Sequence, residues 1–170
     1  VARLKSEMTT SPTTRKTIRI AALPAEHGGW GFLLEPILLG MIAAPSWRGI
    51  LLALAAVGVF LIHQPLRLML KDRRAGRRLA RTRWAERFTL IYALLIIIPG
   101  GVLLLNSSPD FLIPVLFAVP LAIIQITFDV RSASRHVIAQ LVGGLAFAVT
   151  APAIGILAGW SLLDALILGI

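Results

Sequence analysis

Five stretches of this chain stay apolar for about the length a helix needs to cross a bilayer, roughly 17–25 residues. They are Gly28–Ala44, Ile50–Leu70, Phe88–Leu105, Phe111–Phe128 and Val137–Leu157. A sixth, Ser161–Ile170, is half that length. In hydrocarbon every backbone N–H and C=O must be paired within the protein, which leaves helices or a closed barrel. No barrel-type alternation of apolar and polar residues runs through these stretches. The expectation is an all-α fold, a polytopic transmembrane helical bundle with five full spans and a partial sixth, truncated at its C-terminal end. Residues 1–22 are expected to form a flexible basic cytoplasmic tail, and residues 23–170 the transmembrane domain.

Composition points the same way. Hydrophobic residues make up 57% and charged residues 15%, with a mean hydropathy of +0.84. A soluble domain carries about 45–50% apolar and about 25% charged residues, so disorder is excluded and a soluble globule disfavoured. The absence of cysteine excludes disulfides and thiolate metal sites. A net charge of +9 would suggest nucleic acid in a soluble protein. Here the positive charges instead flank the apolar stretches, and no nucleic-acid partner is expected. If the five spans alternate, the N-terminal tail, the loop after the second span and the loop after the fourth share one side. Together they hold 16 of the 17 Lys and Arg residues, with Arg48 alone opposite. The excess of Lys and Arg in cytoplasmic loops then places the N-terminus in the cytoplasm of a bacterial inner membrane. Trp30, Trp84 and Trp160 fall where interfacial aromatics belong.

The polar residues inside the spans are clustered. Gln64, Arg67 and Lys71 recur at i, i+3, i+7, and His63 stands four residues before Arg67. Gln125 and Asp129 form an i, i+4 pair, as do His136 and Gln140, while Glu26 and His27 open the first span. Such spacing stacks side chains on one helical face. All these groups fall at the same end of their helices, implying a cationic polar cavity open to the cytoplasm. Ionisable groups in spans are costly and mostly face the bundle interior. Glu35, two turns into the first span, is expected to pair with an arginine inside the bundle. The basic loop from Lys71 to Arg87 reads first as a topology determinant that also touches anionic lipid, ahead of a role in holding substrate. The three histidines match no compact metal spacing. Ser161 and Asp164 have the spacing of a capping box, Asp110 is placed to cap the fourth helix, and Gly155 with Gly159 is placed to pack helices.

The stretch Leu23-Pro-Ala-Glu26-His27-Gly28-Gly29-Trp30-Gly31, continuing through Glu35 and Pro36 to Gly40, resembles the opening motif of the YwiC-like bacterial membrane proteins. The runs Gln64-Pro65-Leu66-Arg67 through Arg74 and Phe128-Asp129-Val130-Arg131 look like that family's cytoplasmic loops. More distantly, Trp30, Pro36 and Gly40 are similar to the first helix of UbiA-type intramembrane prenyltransferases. That likeness implies magnesium held by carboxylates at the cytoplasmic ends of the second and fourth helices. Asp72 and Asp129 are the positions that match, but Leu68 and Met69 stand where the Asn-Asp pair belongs.

Three functions follow as expectations. The first is binding or transformation of a lipid-linked phosphate such as a polyprenyl phosphate. Arg67, Lys71, Arg131 and Arg135 would clamp the anion, because guanidinium and ammonium groups match phosphate oxygens. Glu26, Asp72 and Asp129 would orient those cations or hold a metal, and His63 and His136 would exchange protons near neutral pH. Together with Asp72 and Asp129 they are the candidate catalytic groups; His27, Glu35, Gln64, Gln125 and Gln140 complete the binding set. The second is transport of a small molecule, and the third is a non-catalytic subunit of an oligomer or membrane complex.

Overall fold

The computed structural model describes residues 27–74, 76, 80–130 and 137–168 of the chain. Every regular element among them is helical. These are α1 (His27–Ala43), α2 (Trp47–Arg74), α3 (Ala80–Asn106), a 3-10 turn (Pro109–Phe111), α4 (Leu112–Val130), α5 (Val137–Ala148), α6 (Thr150–Leu157) and α7 (Leu162–Ile167). Two of them, α2 and α3, contain segments long and apolar enough to cross a membrane; the remaining apolar helices are shorter.

The helices run past the apolar stretches that announce them. Hydropathy ends at the first cluster of charge, whereas Arg and Lys are good helix formers, so α2 continues to Arg74 and α3 already begins at Ala80. The turn between them includes Gly76, whose φ of 63° is a left-handed conformation that glycine adopts without penalty. Among the described helices, the α2–α3 pair is the most extensively packed. Gly58 makes it possible, since a Cβ there would lie 2.8 Å from Ile96 Cγ1.

The expected fifth span, Val137–Leu157, is interrupted at one residue, Val149, whose backbone stays in the right-handed helical region at φ -63° and ψ -13°. Pro152 has no N–H, and its ring collides with the carbonyl four residues earlier. That carbonyl belongs to Ala148, where α5 ends before α6 begins at Thr150. All eight residues of α6 are buried. Ile154 is inaccessible at the centre of a core that includes Leu52, Leu103, Phe111 and Ala165. α1 lies against it on the face Leu33, Ile37, Gly40 and Ala44. At Gly40 a Cβ would stand 3.0 Å from Ile154 Cβ and 3.2 Å from Ala151 Cα.

Two sequence expectations about the caps part company. Ser161 caps α7, accepting from the Asp164 N–H at 3.2 Å and donating to its carboxylate at 2.6 Å. Asp110 does not cap a helix: it lies within the 3-10 turn, entered from Ser108 through Pro109. Gly155 packs on Ala165 as a small residue should. Gly159, at φ 98°, instead terminates α6, its N–H reaching Ile156 O and the Trp160 N–H reaching Gly155 O, the paired bonds of a Schellman motif.

Candidate functional site

His63, Gln64, Arg67 and Lys71 all lie on the last third of α2 and are all half-buried. Helix α2 persists through this polar run although it contains Pro65, which is fully buried. Among the described residues no hydrogen bond or ion pair holds the Arg67 guanidinium. The Nε2 atom of His63 and the Oε1 atom of Gln125 are both buried. Gln125, on α4, lies against α5 at Gly143, where a Cβ would come within 3.4 Å of its amide. Arg67 and Gln125 are each partly buried.

The polar cavity expected from the sequence falls at the end of the bundle where residues 131–136 and the side chains of Asp129 and Gln140 lie outside the described residues. A cleft between the helices, about 240 Å³, lies toward the opposite end, among α2, α3, α4 and the α5–α6 junction. Its walls are apolar side chains apart from the hydroxyl of Thr150. Small residues leave this room: Ala55, Ala56, Ala118, Ala146 and Gly100 all stand on its wall.

Asp72 is 3% exposed and accepts a hydrogen bond from Thr82 Oγ1 at 2.8 Å. It therefore ties the end of α2 to the start of α3. One turn outside, Arg73 Nη2 approaches Glu86 Oε1 at 3.3 Å with both side chains exposed, a pair worth about 1 kcal/mol at most. Arg87 lies over the Trp84 ring, 5.1 Å from its centroid.

Glu35 corrects the sequence reading. Among the described residues it makes no ion pair, and it is exposed on the side of α1 opposite Leu33 and Ile37, between exposed Phe32, Leu34, Leu38 and Leu39. Apart from Glu35, α1 is apolar on every side along its central turns, so no amphipathic pattern could mark which face turns inward. Glu26, Arg131, Arg135 and His136 lie outside the described residues. His27, Asp129 and Gln140 belong to α1, α4 and α5, but their side chains lie outside them too. Among the described residues no three His, Asp or Glu side chains gather as metal ligands would.

Sequence reasoning passed over Thr82 and Tyr92. Tyr92, the chain's one tyrosine, is 9% exposed and stacks on Phe88 with centroids 5.9 Å apart. A phenol within an apolar span was the available signal.

The surface completes the classification. Ile42, Leu105, Ile97 and Phe117 are between 64% and 86% exposed. Soluble monomers rarely show contiguous apolar patches beyond a few hundred Å², and a bilayer removes that cost. An apolar exterior over all-helical packing, with two span-length helices, defines a helical membrane protein. Within that class the chain belongs to the YwiC-like protein family, whose model matches residues 23–155. No curated protein and no solved structure matches it.

Proposed function

We propose that this YwiC-like chain is a multi-pass protein of the bacterial inner membrane, N-terminus inside, with five spans and a partial sixth. Its cytoplasmic end binds the phosphate of a lipid-linked phosphate. The observation that carries this reading is Arg67, half-buried in a span-length helix without a carboxylate among the described residues. An intramembrane arginine requires an anionic or strongly accepting partner, and phosphate oxygens suit its forked donors. Lys71, one turn on, supplies a second cation, with Arg131 and Arg135 assigned to the same rim. His63 is the group placed to exchange a proton at the head of the ligand. Transfer chemistry of the UbiA kind would require magnesium on Asp72 and Asp129. The hydrogen bond from Thr82 to Asp72 gives Asp72 a structural duty instead, and favours binding over prenyl transfer.

The test is binding of a polyprenyl phosphate against the matching polyprenol by the purified protein. Arg67→Ala should weaken phosphate binding by roughly 10–100-fold, the equivalent of one charge-assisted hydrogen bond of about 1.5–3 kcal/mol. Arg67→Lys should restore part of it. Equal affinity for the alcohol and the phosphate would overturn the reading. Glu35, exposed on α1, favours a second reading in which that face meets a subunit of a membrane complex. Loss of a co-purifying subunit in Glu35→Gln, with phosphate binding intact, would select it.

A further inference from the structure

The apolar cleft carries an inference of its own. Its α2 wall is Leu52, Ala55, Ala56 and Val59. Leu52, Ala56, Val59 and His63 recur at i, i+4, i+7, i+11, so one helical face runs from the cleft to the imidazole, with Arg67 one turn beyond. The α4 wall repeats the pattern: Phe111, Val115 and Ala118 lead through Ala122 to Gln125. Two helices thus carry a continuous strip from an apolar slot to the polar end of the site. Along α2 the strip from Leu52 to Arg67 spans about 22 Å at 1.5 Å per residue.

We propose that this cleft holds a single hydrocarbon chain, the tail of the same lipid whose phosphate meets Arg67. The proposal rests on that reading for the identity of the head and on the cleft for the tail. The dimensions select the occupant. An apolar cavity of about 150 Å³ stays dry and takes up small hydrocarbons, and this one is larger, about 240 Å³. A helix from a second copy or a partner is about 10–12 Å across with its side chains, too broad to seat among four packed helices in that volume. Water has no partner there beyond Thr150. Val59 and Leu104, at the margin, are exposed, which leaves a side entrance from the bilayer.

Gly100 and Gly101 give a matched pair of variants. Gly100 lines the cleft and Gly101 does not. A Cβ at either meets nothing within 4 Å, and leucine is a better helix former than glycine, so both Leu variants are expected to fold. The full chain in bicelles is irradiated with hexadecyl phosphate carrying a terminal diazirine, and separately with the corresponding alcohol. Adducts of the phosphate should map to the cleft-facing residues of α2, α3 and α4. Gly100→Leu should reduce them about tenfold or more, and Gly101→Leu should leave them unchanged. Adducts spread over the outward residues Ile97, Ile98 and Leu105, and indifferent to Gly100→Leu, would overturn the proposal. Equal labelling of the cleft by the alcohol, unaffected by Arg67→Ala, would keep the tail site and remove the phosphate reading.

Discussion

Glu35 and Asp72 are both carboxylates on helices of this bundle, and their surroundings separate their roles. Glu35 stands outward among apolar side chains. An ionised side chain at the middle of an isolated span costs about 2.5–3.5 kcal/mol on insertion scales, whereas leucine is slightly favourable. Glu35→Leu should therefore ease insertion of α1 by roughly 3 kcal/mol, measured with a glycosylation-tagged segment; an unchanged inserted fraction would show the carboxylate already relieved by the interface. Asp72 is buried and receives the Thr82 hydroxyl. Losing a hydrogen bond to a buried charged group costs about 1–3 kcal/mol. A double-mutant cycle of Asp72→Ala and Thr82→Val, followed by unfolding in micelles, should give a coupling of about 1–2 kcal/mol. Additive losses would mean the bond is incidental. The stacked spacing of Gln64, Arg67 and Lys71 was legible in the sequence. The bond from Thr82 was not, because a threonine ten residues away acquires meaning only once α2 and α3 are folded against each other.

At the scale of elements, the helices were legible wherever apolar length alone decides, and their ends were not. Charge ends a membrane span without ending a helix, which is why α2 and α3 overrun Leu70 and Phe88. The interruption of the fifth stretch was available in Pro152, yet proline is also tolerated within α2, α3 and α4, at 65, 99 and 120. What separates the cases is packing, since α6 is buried on every side and α5 is not. The α2–α3 contact is equally specific. Gly58→Ala would put its Cβ 2.8 Å from Ile96; overpacking of this kind typically costs about 1–3 kcal/mol. Stability of the variant should fall accordingly in a denaturant titration, and the loss should be smaller in an Ile96→Ala background, which lacks the Cγ1 atom. No loss would mean the helix pair slides freely.

For the whole molecule, the expected topology puts residue 76 and the N-terminal tail on the cytoplasmic side and residue 107 outside. Single cysteines at these positions, in a chain with none of its own, should react with a membrane-impermeant maleimide from outside at 107 alone. Reaction at 76 alone would invert the molecule and move Arg67 to the outer leaflet. The polar cavity expected from the sequence belongs to this scale, since it depends on several helices at once and the side chains of Asp129 and Gln140 lie outside the described residues. Coincident polar faces are legible as i, i+4 spacing; whether those faces meet depends on how each helix is rotated against its neighbours, which spacing within one helix does not encode.

The close fit of Gly40 on Ile154 has a consequence for biosynthesis. These two residues are roughly 110 positions apart, and chains grow at about 5–20 residues per second. Helix α1 therefore leaves the ribosome about 6–23 seconds before the segment that covers its inner face exists. During that interval its inward Leu33, Ile37 and Gly40 are exposed to lipid or to the insertion machinery. The bundle cannot close progressively, as a string of hairpins would; it must hold α1 in waiting and lock when α6 arrives. Variants at Gly40 should for that reason be recognised late by quality-control proteases, after full-length synthesis, with no shortfall in the insertion of α1 itself.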